Sequence, residues 1–262
     1  MTATTHDFRY RSLDEIDHRP WEMPRRPWVM TQTWHDLLFV HWPVSAVELR
    51  RLVPAPCDLD LFDGQAWLGV VPFEMTNVAP RACPALPRVS AFGEINVRTY
   101  VRVNGRPGVY FLSLDAGSRL AVTVARTLFH LPYYNADFEI TRDASGTIGY
   151  RAQRRAGTAS FAAQYAPVER GSHPAARSLE YFLTERYCLY TVTPAGRCRR
   201  VDIHHPAWFL HRAAADLRVN TMTLAAGLRV PDTAPLLHYA RRQDVVNWLP
   251  VDAGGRTMDA PE

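Results

Sequence analysis

Three residues in one short run have the types and spacing to do chemistry together: Glu94, Asn96 and Arg98, in GEINVRT at residues 93–99. Strand side chains alternate between faces, so these three share one face while Ile95, Val97 and Thr99 share the other. A carboxyl can give or take a proton, and a guanidinium can hold a carboxylate through two parallel hydrogen bonds. An amide between them adds a neutral donor and acceptor. The same pattern also describes a solvated strand face. Periodicity alone does not separate that reading from an inward polar row lining a ligand-holding barrel.

The elements that would position the row are well marked. Asn104-Gly105 is a type I′ hairpin signal, since both residues tolerate positive φ, and residues 109–114 form the return strand. Asp115 or Ser118 can cap a helix whose apolar positions are Leu120, Val122, Val124, Ala125 and Leu128, and Pro132 ends it. A corner at Tyr133-Tyr134 follows.

Upstream, residues 33–42 read as a strand bracketed by His35 and His41. Ser45 and Glu48 make a capping box for a helix ending at Pro54, with Val44 stapled to Leu49. Strands over 59–62 and 66–73 join at Asp63-Gly64. Residues 76–90 hold three prolines and no periodicity, and read as a long loop across a barrel mouth. Downstream, a hairpin spans 136–141 and 147–153, a strand covers 160–165, and a short helix over 178–184 leads into a strand at 186–190. Glu185 and Arg186 could pair with each other or reach the cavity, and a structural salt bridge is the safer reading. His204, His205 and His211 invite a metal hypothesis. Neighbouring strand residues point apart, however, and no acidic partner has helical metal-ligand spacing, so no metal site is expected. A strand ending at Pro206, a helix over 208–216 and a closing strand over 236–249 complete the chain.

The domain reading is an extended arm over 1–30, a single domain over 31–250 and a frayed tail over 251–262. The arm is proline-rich and reads as either disordered or wrapped over a neighbouring subunit. Trp21 and Trp28 favour docking, and a homo-oligomer is expected. The fold class is α+β, mainly antiparallel β, since so many strands must close or be covered, and a barrel does that.

Composition excludes several functions. All 30 basic residues among the 262 are arginine, scattered and nearly balanced to a net charge of +4, so nucleic acid is not an expected partner. Arginine stays protonated and cannot form an imine, so Schiff-base catalysis, a pyridoxal-phosphate aldimine and a P-loop lysine are all excluded. The four cysteines have no CxxC spacing, so neither a zinc module nor a disulfide framework is expected. The first residues contain no apolar signal run, and no stretch reaches the roughly 18 apolar residues of a membrane span. A soluble cytoplasmic protein with no cofactor and no membrane partner is the expectation.

The run from GEINVRTYVRVNG to ARTLFHLPYYNADF resembles the core of the YqjF-like bacterial proteins, the DUF2071 family. WHDLLFVHWPV, LGVVPFEM and FLTERYCLY resemble it in the same order, over roughly residues 27–250. That family is grouped by fold with acetoacetate decarboxylase, which implies a cone-shaped, mainly antiparallel β-barrel with a few short helices. The resemblance matches Glu94 by position to the decarboxylase's active-site glutamate and brings the His41 strand towards the cavity. Where the decarboxylase pattern has its lysine pair, this chain reads Leu131-Pro132-Tyr133-Tyr134.

Three functional readings follow. The first is an enzyme acting on a small carbonyl or carboxylate metabolite. Glu94 and Tyr133 would be catalytic, and Arg98, Asn96, His41 and Tyr134 would bind substrate. Isomerisation, dehydration or lysine-independent decarboxylation would suit that set. The second is a non-catalytic small-molecule-binding protein using the same cavity. The third is a filled structural barrel in which Glu94 and Arg98 form a buried ion pair.

Overall fold

The alternating segments become long strands, and the strands close on themselves twice. The structure is a computed structural model that describes residues 8–85 and 90–254. Its strands are β1 (Met30–Val44), β2 (Asp58–Leu59), β3 (Ala66–Pro80), β4 (Phe92–Val103), β5 (Arg106–Ala116), β6 (Tyr133–Arg142), β7 (Ile148–Arg154), β8 (Ser160–Pro167), β9 (Cys188–Val192), β10 (Cys198–His204), β11 (His211–Asn220), β12 (Leu236–Asn247) and β13 (Val251–Asp252). The helices are α1 (Ala46–Arg50), α2 (Arg119–Phe129), α3 (Leu179–Thr184) and α4 (Met222–Ala225).

Strands β1, β3, β4 and β5 pair in succession. The chain then continues through β6, β7, β8, β11 and β12 back to β1, closing a ring of nine strands. A second closure uses the same wall. The edge of β5 is divided, with Leu114–Ala116 pairing β6 and Val109–Tyr110 pairing β9. The edge of β12 is divided likewise between β11 and β10. Strands β9 and β10 therefore bridge β5 to β12 and complete another ring with β1, β3 and β4. The pairing is antiparallel except where β5 meets β6 and β9.

The shared wall has two faces of different character. Leu38, Val40, Ile95 and Val97 face the first ring and pack with Tyr150, Phe161 and Tyr165 into a solid core. Leu37, Phe39, Val71 and Phe73 face the second ring, with Trp208. The polar row of β4 lies on this second face, because its members alternate with Ile95 and Val97.

The local signals mostly hold. Ser45 Oγ accepts from the Glu48 amide, Ser118 Oγ from the Ala121 amide, and Ser178 Oγ from the Tyr181 amide, each serving an otherwise orphaned helix N-terminus. Asn104 and Gly105 have φ of 50° and 78°, as the hairpin requires.

Several expectations need correction. Residues 208–216 do not form a helix: from His211, alternate residues turn inward, and Ala213, Ala215 and Leu217 pack on the core while β11 pairs with β8. Tertiary pairing there overrides the helix propensity of the alanines. The loop expected over 76–90 is shorter, because β3 runs on to Pro80 against β1 past an irregularity at Asn77, whose φ is 54°; residues 86–89 lie outside the described residues.

The described part of the arm docks on its own chain. Arg19 donates to Ile203 O, Arg26 to Asp202, and Arg106 lies over the Trp21 ring. The tail begins as β13 against Arg199 and Arg200, and residues 255–262 lie outside the described residues. Glu185 and Arg186 do not pair with each other: Arg186 binds Asp60 at 2.6 Å, and Glu185 accepts from Tyr187 and from the Trp208 amide. Among the described residues, no helix is long and apolar enough to cross a membrane.

Candidate active site

Glu94 sits on β4 where the strand is held tightly. Its own carbonyl accepts from the Tyr150 hydroxyl at 2.6 Å. Gly93 beside it leaves room for Phe138, whose ring lies 2.5 Å from where a Cβ would stand. The Glu94 side chain points the other way, into the second ring, and is 3% exposed. The Tyr133 hydroxyl, at the start of β6, donates to Glu94 Oε2 at 2.9 Å.

Burial raises the Glu94 carboxyl from its ordinary 4.5 to about 8, Asp115 adding a little and the Tyr133 hydrogen bond opposing it. The carboxyl therefore carries its proton at neutral pH and gives it up slightly above. Burial, together with the Glu94 charge, pushes the Tyr133 phenol well above its usual range, so it remains a donor. Behind them Asp115 is held by Arg154 through two hydrogen bonds of 2.7 and 2.8 Å.

Glu94, Asn96 and Arg98 all line a cavity of about 480 Å³. Its walls are largely apolar: Trp34, Phe73 and Trp208 on one side, Phe111 and Leu114 on another. Helix α2 covers it with Leu120, Ala121, Val124 and Ala125, and Cys83, Pro84 and Ser90 reach it from the loop after β3. An apolar cavity with a few convergent polar groups is the usual form of a small-molecule site. The solid-barrel reading fails here, because the second ring is not filled by side chains and Glu94 binds Tyr133 instead of Arg98.

Arg98 is half-buried. Its Nη2 donates to Leu183 O at 3.1 Å, its Nε has no partner, and among the described residues no carboxylate pairs with it. Asn96 is 4% exposed, and its Oδ1 also lacks a partner among the described residues.

The other two residues expected to bind substrate lie elsewhere. His41 is fully buried below the cavity, with Nε2 2.6 Å from the Tyr100 hydroxyl, which itself donates to Leu183 O. Nε2 must then carry the hydrogen. Burial and nearby Arg98 hold this imidazole well below its usual pKa. Tyr134, next along β6 from Tyr133, points to the opposite face and stacks on Arg154, 3.7 Å from its ring centre.

Sequence reasoning missed Thr184, His205 and Trp208 as cavity residues, and for Arg186 it ranked the cavity behind a salt bridge. For Arg186 the signal was the alternation into β9. For His205 and Trp208 it was hidden, since both follow a strand in irregular chain.

Closed strand rings with a helix over the cavity give the fold of an acetoacetate decarboxylase-like barrel. Enduracididine biosynthesis enzyme MppR complexed with pyruvate matches with a TM-score of 0.62, covering 90% of this chain and 95% of that one at 11% identity. An acetoacetate decarboxylase-like enzyme from Sphingomonas wittichii RW1 matches at 0.61, covering 89% and 98% at 14% identity. These likenesses show the fold. The model of the DUF2071 family, described as an uncharacterized conserved protein, matches residues 31–244. "Uncharacterized protein YqjF" of Bacillus subtilis (strain 168) is 47% identical over 227 residues, 86% of this chain and 93% of that protein. The chain belongs to the DUF2071 family.

Proposed function

We propose that this chain is an enzyme that moves a proton on a carbonyl- or carboxylate-bearing small molecule without a covalent lysine intermediate. The observation that carries the proposal is the Glu94 carboxyl, buried at a cavity wall, hydrogen-bonded by Tyr133 and poised to exchange its proton near pH 8. Catalytic acids and bases work best with a pKa near the operating pH. In its ionised form Glu94 takes a proton from the carbon beside a carbonyl. The electron pair of that C–H bond moves to the carbonyl oxygen, and the Tyr133 hydroxyl turns from Glu94 to the developing oxyanion. Returning the proton to a different carbon gives isomerisation. Arg98 holds a carboxylate of the substrate, and Asn96 supplies a neutral contact between them.

The test needs no knowledge of the natural substrate. Proton exchange into levulinate, 7-oxooctanoate and 9-oxodecanoate, whose carbonyl and carboxylate stand progressively further apart, is followed by proton NMR in D2O. Wild type is expected to catalyse deuterium uptake beside a carbonyl, and Glu94→Gln to lose at least about a hundredfold of that rate. Tight binding of these compounds with no exchange in wild type would replace the enzyme reading by that of a non-catalytic binding protein.

A further inference from the structure

The dimensions of the site argue against a short oxo acid as its ligand. Successive residues of a strand rise about 3.3 Å, so Glu94 and Arg98 stand roughly 13 Å apart along β4. Arg98 does not lean back towards Glu94: its guanidinium lies between Phe39 and Tyr100, 5.3 and 5.8 Å from their ring centres. In a 2- or 3-oxo acid the carboxylate is one or two bonds from the reacting carbon, so a single such molecule cannot reach both groups. The volume agrees. Granting each of six heavy atoms the roughly 30 Å³ of a liquid water gives about 180 Å³, well under half of the 480 Å³ available.

The remaining space is apolar and leads outwards. Leu120 and Val124 line the cavity on one side of α2, yet are 60% and 38% exposed, so they form a greasy rim. Three buried or half-buried groups on the walls also await partners. Among the described residues, Arg98 has an unpaired Nε and no carboxylate, Asn96 an unpaired acceptor, and Trp208 an unpaired Nε1 donor. Of the three, Arg98 is the charged group, and a ligand carboxylate that meets it recovers the largest share of the cost of leaving them unpaired.

We propose that the cavity takes a carboxylic acid with an extended apolar chain. Its carboxylate lies on Arg98, its chain runs along β4 past Asn96 and Trp208, and its reacting carbonyl lies beside Glu94 under α2. The proposal rests on the functional reading above for the role of Glu94, but not for the binding mode.

Calorimetric titration of the full chain with acetate, hexanoate, decanoate and 1-decanol tests it. Each CH₂ buried is expected to tighten binding about three- to fourfold until the cavity is full. The stoichiometry is expected to be one to one, and decanoate to bind at least about tenfold more tightly than decanol. Arg98→Gln is expected to erase the acid-over-alcohol preference and keep the chain-length slope. Ala121→Trp, which fills the space under α2, is expected to end the slope at a shorter chain.

Equal affinities for acetate and decanoate, no saturable decanoate binding, or an acid preference that survives Arg98→Gln would overturn the proposal. These titrations contain no chemical step. A failed chain-length series therefore refutes the ligand class, whereas loss of the acid–base reading would show as no proton exchange in wild type or as unchanged exchange in Glu94→Gln.

Discussion

Replacing Glu94 by Gln should change how stability depends on pH, by an amount the structure sets. The folded carboxyl has its pKa raised from 4.5 to about 8. Below pH 4.5 the group is protonated folded and unfolded, and contributes no slope. Between 4.5 and about 8 the unfolded chain has ionised while the folded chain still holds the proton. The folded state then binds more protons, and stability falls as pH rises. Above 8 both are ionised and the loss is complete. At 1.36 kcal/mol per unit the full loss is on the order of 5 kcal/mol, and between pH 5.5 and 8 about 3 kcal/mol.

Glutamine stands in for the protonated acid. Its amide oxygen accepts from Tyr133, and it has no proton to lose. Asp115, also raised by burial, is common to both proteins and cancels in the comparison. Urea unfolding at pH 5.5, 7 and 8, with equal m-values, is the assay. Glu94→Gln is expected to be the more stable protein at pH 8 by about 3 kcal/mol relative to the difference at pH 5.5. Parallel curves would refute the claim that Glu94 is held protonated by its surroundings.

Other outcomes follow from the same geometry. Tyr133→Phe removes the hydrogen bond that opposes burial, so the Glu94 titration followed by carboxyl carbon NMR should move above 8, and proton exchange should slow. Arg154→Ala leaves the buried Asp115 carboxylate without its cation and should cost about 3–5 kcal/mol in unfolding free energy, more than removing both partners together. Gly93→Ala drives a methyl into the Phe138 ring and should cost about 1–3 kcal/mol, visible as a lowered melting temperature.

Much of this was legible in the sequence because the candidate residues lie on a strand. The alternation at 93–99 placed Glu94, Asn96 and Arg98 on one face, and the turn at Asn104-Gly105 fixed the return strand that frames them. Which face looked into a cavity was not legible, since the answer depends on β9 and β10, distant in sequence, closing against β5 and β12. The difference between Tyr133 and Tyr134 was written in the pleat, but only Glu94 across the sheet shows which of the two turns inward. His41 lies on the cavity-side face yet sits below the open space, because Gly69 opposite it, with no Cβ, lets the imidazole fill that floor. The segment at 208–216 misled because alanine-rich composition favours a helix in isolation, while pairing with β8 is a long-range fact.

The wall shared by the two rings separates the demands of folding from those of chemistry. Residues 95 and 97 belong to a solid core, while residues 94, 96 and 98 border open space. Side chains on the second set can therefore vary over generations without loosening the first, provided the register of β4 is kept. A shift of one residue would exchange the two faces and lose both at once. A mutational library confined to positions 94, 96, 98, 121 and 125 should then yield far more folded variants than one of equal size spread over positions 95, 97 and their neighbours in the first ring.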